Sequence, residues 1–137
     1  MAIVIDTNII FSMLLKRASR LRQEFFEQTD EFYSPNFVMV ELFKHKERLL
    51  KRSELSETEI YELLHTILER VHFINEYTIT KRNKLKAFRM CQNVDENDTP
   101  IVALVLELTA RLWTRDKQLK QGLRKQGFKK FFAPKSK

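Results

Sequence analysis

Short apolar runs and stretches of helical periodicity alternate along the chain. Ala2-Ile3-Val4-Ile5 is uninterrupted by polar residues, which is typical of a strand buried on both faces. Further strands are predicted at Glu31–Ser34, at Val71–Ile74, at Leu112-Trp113-Thr114 and around Lys130–Phe132. Such a succession of strands, each separated from the next by helical periodicity, predicts parallel pairing with crossover helices.

The segments between the strands carry helix signals. Ser56-Glu57-Thr58-Glu59 is a capping box that opens a helix through about Leu68. Pro35 stands where another helix could start, with one face marked by Val38, Leu42, His45 and Leu49. Other helices are predicted after Asp6, around Leu21–Phe26, over residues 81–90, from Asp98-Thr99-Pro100, and over Asp116–Lys125 with Gly127 as its C-cap. The fold class is therefore α/β: a three-layer α/β/α sandwich with a central parallel sheet of four to five strands, in a single domain of residues 1–137.

The amino-acid composition excludes several kinds of binding site. The chain has two glycines, Gly122 and Gly127, so the glycine-rich phosphate loops of nucleotide-binding proteins are excluded. A single cysteine, Cys91, excludes an internal disulfide and a cysteine-clustered zinc site. The opening apolar segment contains Asp6 and has no basic residues before it, so we expect neither a signal peptide nor a membrane span, and a cytoplasmic location.

Positive charge is concentrated near the C-terminus. Residues 111–137 contain ten basic side chains and one acidic one, Asp116, whereas the rest of the chain is slightly acidic. Such a block attracts polyanions, and nucleic acid is the commonest of these. A solvated helix face followed by a basic tail is the alternative interpretation. The candidates for nucleic-acid binding are Arg115, Lys117, Lys120 and Arg124.

Three carboxylates are predicted at one edge of the sheet. Asp6 follows the first strand, Asp116 follows the fourth, and Asp98 precedes the helix that leads into the fourth. If these strands are neighbours, the acids converge where open parallel sheets bind ligands. Each acid also precedes a helix, and helix capping is an alternative role for it.

Glu41 changes the balance between these interpretations. It lies inside Val38-Met39-Val40-Glu41-Leu42-Phe43, where capping cannot explain it. We expect its carboxylate to be buried among apolar side chains, which is costly without a neutralising cation. Four acids with no matching basic residues would also repel one another. Hard oxygen ligands of this kind suit Mg²⁺ or Mn²⁺.

Four motifs in these positions resemble those of PIN domains. The opening motif is Ile3-Val4-Ile5-Asp6-Thr7-Asn8, and the second is Val40-Glu41-Leu42. The third runs from Asp95 to Leu104, and the fourth is Leu112-Trp113-Thr114-Arg115-Asp116. Their order and spacing agree with the family from Ile3 to about Phe132.

The resemblance implies a metal-dependent endoribonuclease of the class that includes VapC-type toxins. It makes Asp6, Glu41, Asp98 and Asp116 the catalytic, metal-binding acids, with Thr114 and Asn8 in support and Asp95 as either a fifth acid or a loop residue. Mg²⁺ or Mn²⁺ would be the cofactor, RNA the substrate, and a small antitoxin protein and a homodimer further implications. Hydrolysis by a metal-activated water would leave 5′-phosphate and 3′-hydroxyl ends. The alternative is a non-catalytic nucleic-acid-binding or scaffold domain that uses the basic C-terminal region.

Overall fold

The structure is a computed structural model, and it describes residues 1–134. These residues form four strands and eight helices. In chain order they are β1 (Ala2–Ile5), α1 (Thr7–Met13), α2 (Arg20–Glu27), β2 (Glu31–Pro35), α3 (Phe37–Lys44), α4 (Lys46–Arg52), α5 (Glu57–Leu68), β3 (Val71–Ile74), α6 (Lys81–Cys91), α7 (Thr99–Leu108), β4 (Arg111–Trp113) and α8 (Lys117–Lys125). Short 3₁₀ turns cover Glu76–Thr78 and Glu96–Asp98. Within residues 1–134, no helix is both long enough and apolar enough to cross a membrane.

The strands form one parallel sheet in the order β3-β2-β1-β4. Val4 of β1 is in register with Tyr33 on one side and with Leu112 on the other, so β1 is an interior strand. The predicted α/β class is confirmed, and the first and fourth strands are neighbours, which is the condition for the three aspartates to converge. This pairing is important because it places the residues that follow β1 beside those that follow β4.

Helices cover both faces of the sheet. Ile3, Val4 and Ile5 are fully buried, and neighbouring residues of a strand point to opposite faces. Helix α7 packs against β1 and β2, and α6 packs against both α7 and α8. Trp113 is also buried, as expected for a core residue. The sheet is thus enclosed between helices, and its carboxyl edge is the place where polar side chains can reach solvent.

Two predicted elements differ from the structure. Pro35 ends β2 instead of starting a helix, and the helix predicted over Val38–Leu49 is divided into α3 and α4. The division falls at His45, whose φ of −101° and ψ of 15° lie outside the helical range. The amide of Phe37 donates to the carboxylate of Glu76 at 2.6 Å. An N–H group in the first turn of α3, which has no partner within the helix, is thus paired with a residue distant in sequence.

The predicted last strand around Lys130–Phe132 is also wrong. This segment forms one isolated bridge, between Phe131 and Leu112. The amide of Leu112 donates to the carbonyl of Lys130 at 2.9 Å, and the amide of Phe132 donates to the carbonyl of Leu112 at 2.8 Å, but the pairing does not extend beyond this bridge. The sheet therefore has four strands within residues 1–134. Gly127, with φ of +89°, lies one position beyond the C-cap residue Gln126, and its left-handed backbone ends α8.

Candidate acidic active site

Asp6 lies at the carboxyl end of β1 and is almost completely buried, with 5% of its surface exposed. Its Oδ1 accepts a hydrogen bond from the amide of Thr7 at 2.7 Å, and so caps α1. Its Oδ2 accepts from Thr114 Oγ1 at 2.7 Å and from Asn8 Nδ2 at 3.2 Å. Burial raises the pKa of Asp6 to about 6, although the hydrogen bonds from Thr114 and Thr7 oppose the shift. Capping thus uses one oxygen, while the other is held by side chains.

Thr114 connects the ends of β1 and β4. The hydroxyl donates to Asp6 and accepts a hydrogen bond from the amide of Asp116 at 3.1 Å. The amide of Arg115 donates to Asn8 Oδ1 at 3.4 Å, which is a second link between the two strand ends. Asp116 Oδ1 accepts from the amide of Leu119 at 3.1 Å and caps α8. Asp6 and Asp116 are therefore helix caps and neighbours in one site at the same time.

Asp98 differs from the other two aspartates because it caps nothing. It precedes α7 with helical backbone angles, and its side chain makes no capping hydrogen bond. Its Oδ2 is buried without any hydrogen-bond partner among the described residues. Burial raises the pKa of Asp98 to about 7, with further contributions from the negative charges of Asp6, Asp95, Asp116 and Glu41. The capping interpretation therefore fails for this residue.

Glu41 faces the same site from α3. It accepts a hydrogen bond from the hydroxyl of Thr7, the residue that follows Asp6. The expectation that apolar side chains surround it is wrong, because Val40 is 60% exposed and Phe43 is 79% exposed. Glu41 itself is half-buried. Its place in the site is therefore supported by its contact with Thr7 and not by burial among hydrophobic residues.

The four acids line one cleft of about 220 Å³. Its lining consists of Asp6, Thr7, Asn8, Phe11, Ser12, Glu41, His45, Arg48, Asp98 and Asp116. The acids do not already form a coordination group, since no three His, Cys, Asp or Glu side chains within residues 1–134 are placed to hold a metal ion together. The donors are nevertheless hard carboxylate oxygens, and the buried Asp98 Oδ2 lacks a positive or hydrogen-bonding partner. Mg²⁺ or Mn²⁺ fits this donor set.

The remaining predicted site residues lie elsewhere. Asp95 is exposed, and its side chain accepts a hydrogen bond from the amide of Asn97 at 2.9 Å, as expected for a loop residue. Arg115 lines a neighbouring cleft of about 500 Å³ that shares Ser12 with the acidic one. Lys117 and Arg124 are exposed on α8, Lys120 is half-buried on the same helix, and Arg124 stacks on Phe131. None of these four basic residues lines the acidic cleft.

Two cleft residues did not emerge as candidates from the sequence. His45 and Arg48 line the cleft, but both lie outside the four motifs. Both follow Glu41 at helical spacing, by four residues for His45 and by seven for Arg48. That spacing would place all three on one face of a continuous helix. The spacing was thus a usable signal, although the helix is interrupted at His45.

Acidic residues at the carboxyl ends of neighbouring parallel strands define a class of α/β proteins that bind ligands at this edge. Comparison with protein families identifies the class further, because residues 4–131 match the model of the PIN domain. The chain belongs to the PIN domain family, whose members are generally nucleases. Comparison with curated proteins found no match.

Proposed function

We propose that this protein is a Mg²⁺- or Mn²⁺-dependent endoribonuclease whose active site is the acidic cleft. The observation that carries the proposal is the Asp98 carboxylate, which is largely buried, has an unpartnered oxygen and shares the cleft with three further acids. A structural role would call for a partner for that oxygen, because burying an unsatisfied carboxylate lowers stability. A bound divalent cation would supply the missing partner.

The residues of the cleft divide into ligands and supports. Asp6, Glu41, Asp98 and Asp116 would hold the metal. When bound, a divalent cation would lower the pKa of a water molecule, so that hydroxide is available to attack a phosphodiester near neutral pH.

The supporting groups hold three of these acids in place. Thr114 and Asn8 hold Asp6 Oδ2 from two directions, and the Thr7 hydroxyl holds Glu41. Thr114 also accepts from the amide of Asp116, so the Thr114 hydroxyl connects two of the acids. We expect loss of this hydroxyl to weaken metal binding without removing a ligand.

Cleavage of a mixed RNA pool tests the proposal. Purified protein is incubated with RNA in Mg²⁺, in Mn²⁺ and in EDTA, beside Asp6→Asn, Asp98→Asn and the exposed control Asp95→Asn. We expect cleavage that needs metal, leaves 5′-phosphates, is lost in the first two variants and persists in the control. Circular dichroism must show that each variant is folded, since Asp6 caps α1. RNA binding without cleavage, unchanged in both site variants, would contradict the proposal and favour the nucleic-acid-binding module.

The toxin role is a separate part of the proposal, supported by the resemblance to VapC-type toxins. Induced expression should arrest bacterial growth for the wild-type chain and not for Asp98→Asn at equal protein level. Growth that is unaffected by an active wild-type enzyme would contradict the toxin role. The ribonuclease proposal would stand in that case.

A further inference from the structure

We propose that Arg48 binds a phosphate of single-stranded RNA next to the bond that is cut, and that Phe11 holds its guanidinium in position. The inference rests on the proposed ribonuclease function and adds a substrate-binding residue to it. Among the described residues that line the acidic cleft, Arg48 alone carries a permanent positive charge. Four carboxylates lie in the same lining.

The Arg48 guanidinium does not pair with any of those carboxylates. Within residues 1–134, Arg48 forms no ion pair and donates no hydrogen bond, although it shares the cleft with Asp6, Glu41, Asp98 and Asp116. An arginine whose role was to neutralise the acids would be expected to pair with one of them. All five N–H donors of Arg48 therefore remain available to a ligand.

The guanidinium also has a defined position. Its central carbon lies 4.9 Å from the centre of the Phe11 ring, in a cation–π contact. Phe11 belongs to α1, the helix that begins directly after Asp6. The contact with Phe11 therefore fixes the Arg48 guanidinium relative to the helix that Asp6 caps. A guanidinium already held in place loses less conformational freedom when it binds an anion.

The chemistry of the guanidinium identifies the ligand. A planar fork of N–H donors matches the oxygens of a phosphate, to which arginine donates two parallel hydrogen bonds. The acids would repel such an anion unless a cation neutralises them, and a positive side chain on the rim then adds attraction at one side of the cleft. RNA presents a phosphate at every nucleotide, so one next to the scissile bond can reach Arg48 while the scissile group lies among the acids.

Four proteins test this inference: wild type, Arg48→Gln, Arg48→Lys and the control Lys51→Gln. Lys51 is exposed on the same helix, outside the cleft, and its replacement removes the same charge. The measurements are KM and kcat for a short single-stranded RNA in Mg²⁺, RNA affinity in EDTA and in Ca²⁺ over a range of salt, and Mn²⁺ affinity. The melting temperature of each variant shows whether it is folded.

For Arg48→Gln we expect a KM about tenfold higher with kcat within about twofold of wild type, because one charged phosphate contact is lost. The slope of log affinity against log salt should become shallower by about 0.7, the value for one phosphate of a single strand. Arg48→Lys should recover part of the affinity, since it keeps the charge and loses the fork. Mn²⁺ affinity should not weaken in either variant, and Lys51→Gln should resemble wild type.

Unchanged KM, affinity and salt slope in Arg48→Gln would overturn the inference, and so would an equal loss in Lys51→Gln. If the wild type binds RNA through Arg48 but cuts nothing, the ribonuclease proposal fails and the phosphate contact stands. If the wild type cuts RNA and Arg48→Gln behaves identically, the ribonuclease stands and the phosphate contact fails. A wild type that neither binds nor cuts RNA would overturn both.

Discussion

Replacing Asp98 with asparagine should stabilise the metal-free protein at pH 8. Burial and four neighbouring acids raise the pKa of Asp98 from 3.8 to about 7 in the folded state. The folded protein therefore binds this proton more tightly than the unfolded chain does, and stability falls as the pH rises from about 4 to about 7. Asparagine is neutral throughout, so the variant does not lose stability in this way.

The size of the effect follows from the shift. At about 1.4 kcal/mol per pKa unit, a shift of this size corresponds to an upper bound of about 4 kcal/mol. Asp98 keeps part of its surface in water, and solvent screening reduces the expected gain to about 1–3 kcal/mol at pH 8. For a chain of this length, that gain corresponds to a rise in melting temperature of about 3–12 °C. The gain should be smaller at pH 5, where Asp98 is largely protonated.

Thermal unfolding followed by circular dichroism in EDTA, between pH 5 and pH 8, measures this gain. Asp95→Asn is the matched control, because Asp95 precedes Asp98 by three residues and is exposed. Its gain should depend little on pH. A gain in Asp98→Asn that is the same at pH 5 and pH 8, or a loss at pH 8, would refute the argument, whatever the variant does to cleavage.

Three further predictions concern the metal, the packing beside the site and a helix cap. Mg²⁺ or Mn²⁺ at about a hundred times its Kd should stabilise the wild type by about 2.7 kcal/mol, measured as a higher melting temperature. Asp98→Asn should be stabilised much less. Equal stabilisation of the two proteins would contradict the assignment of Asp98 as a metal ligand. A Cβ at Gly122 would overlap Val94 Cγ2, so Gly122→Ala should lower the free energy of unfolding by about 1–3 kcal/mol. It should also slow cleavage by shifting the loop that contains Asp98. Adding Val94→Ala should restore both in denaturant and cleavage assays, and failure to do so would exclude this clash. Ser56→Ala removes the capping box of α5 and should lower the free energy of unfolding by about 1 kcal/mol, measured in urea. The kcat should be unchanged, and a loss of activity would show that α5 influences the cleft.

Elements set by local chemistry could be predicted from the sequence. The capping box at Ser56 has both of its hydrogen bonds in the structure, and helix α5 ends at Leu68 as expected. The apolar run before Asp6 forms the buried strand β1. These signals depend on residues a few positions apart, so they can be recognised in a short stretch of sequence. The convergence of Asp6, Asp98 and Asp116 was predictable on the condition that β1 and β4 are neighbours, because parallel strands bring their carboxyl ends to one edge.

Features that depend on distant contacts were not predictable in this way. The amide that starts α3 is satisfied by Glu76, a residue 39 positions away. The exposure of Val40 and Phe43 follows from how α3 packs on the rest of the fold, so the apolar sequence around Glu41 wrongly indicated that these two side chains are buried. Arg48 reaches the cleft through its contact with Phe11 on another helix. Each of these depends on the tertiary arrangement and not on the local pattern.

The pairing of β1 with β4 has a consequence for the order of events during synthesis. Asp6 and Thr114 are 108 positions apart, yet the hydrogen bond between them helps to assemble the cleft. Translation adds about 5–20 residues per second, so for several seconds a nascent chain contains the residues of β1 while those of β4 have not yet been added. During that interval Asp6 lacks Thr114 and Asp116 does not exist. Any activity that needs all four acids of the cleft can therefore begin only after β4 and Asp116 have been synthesised.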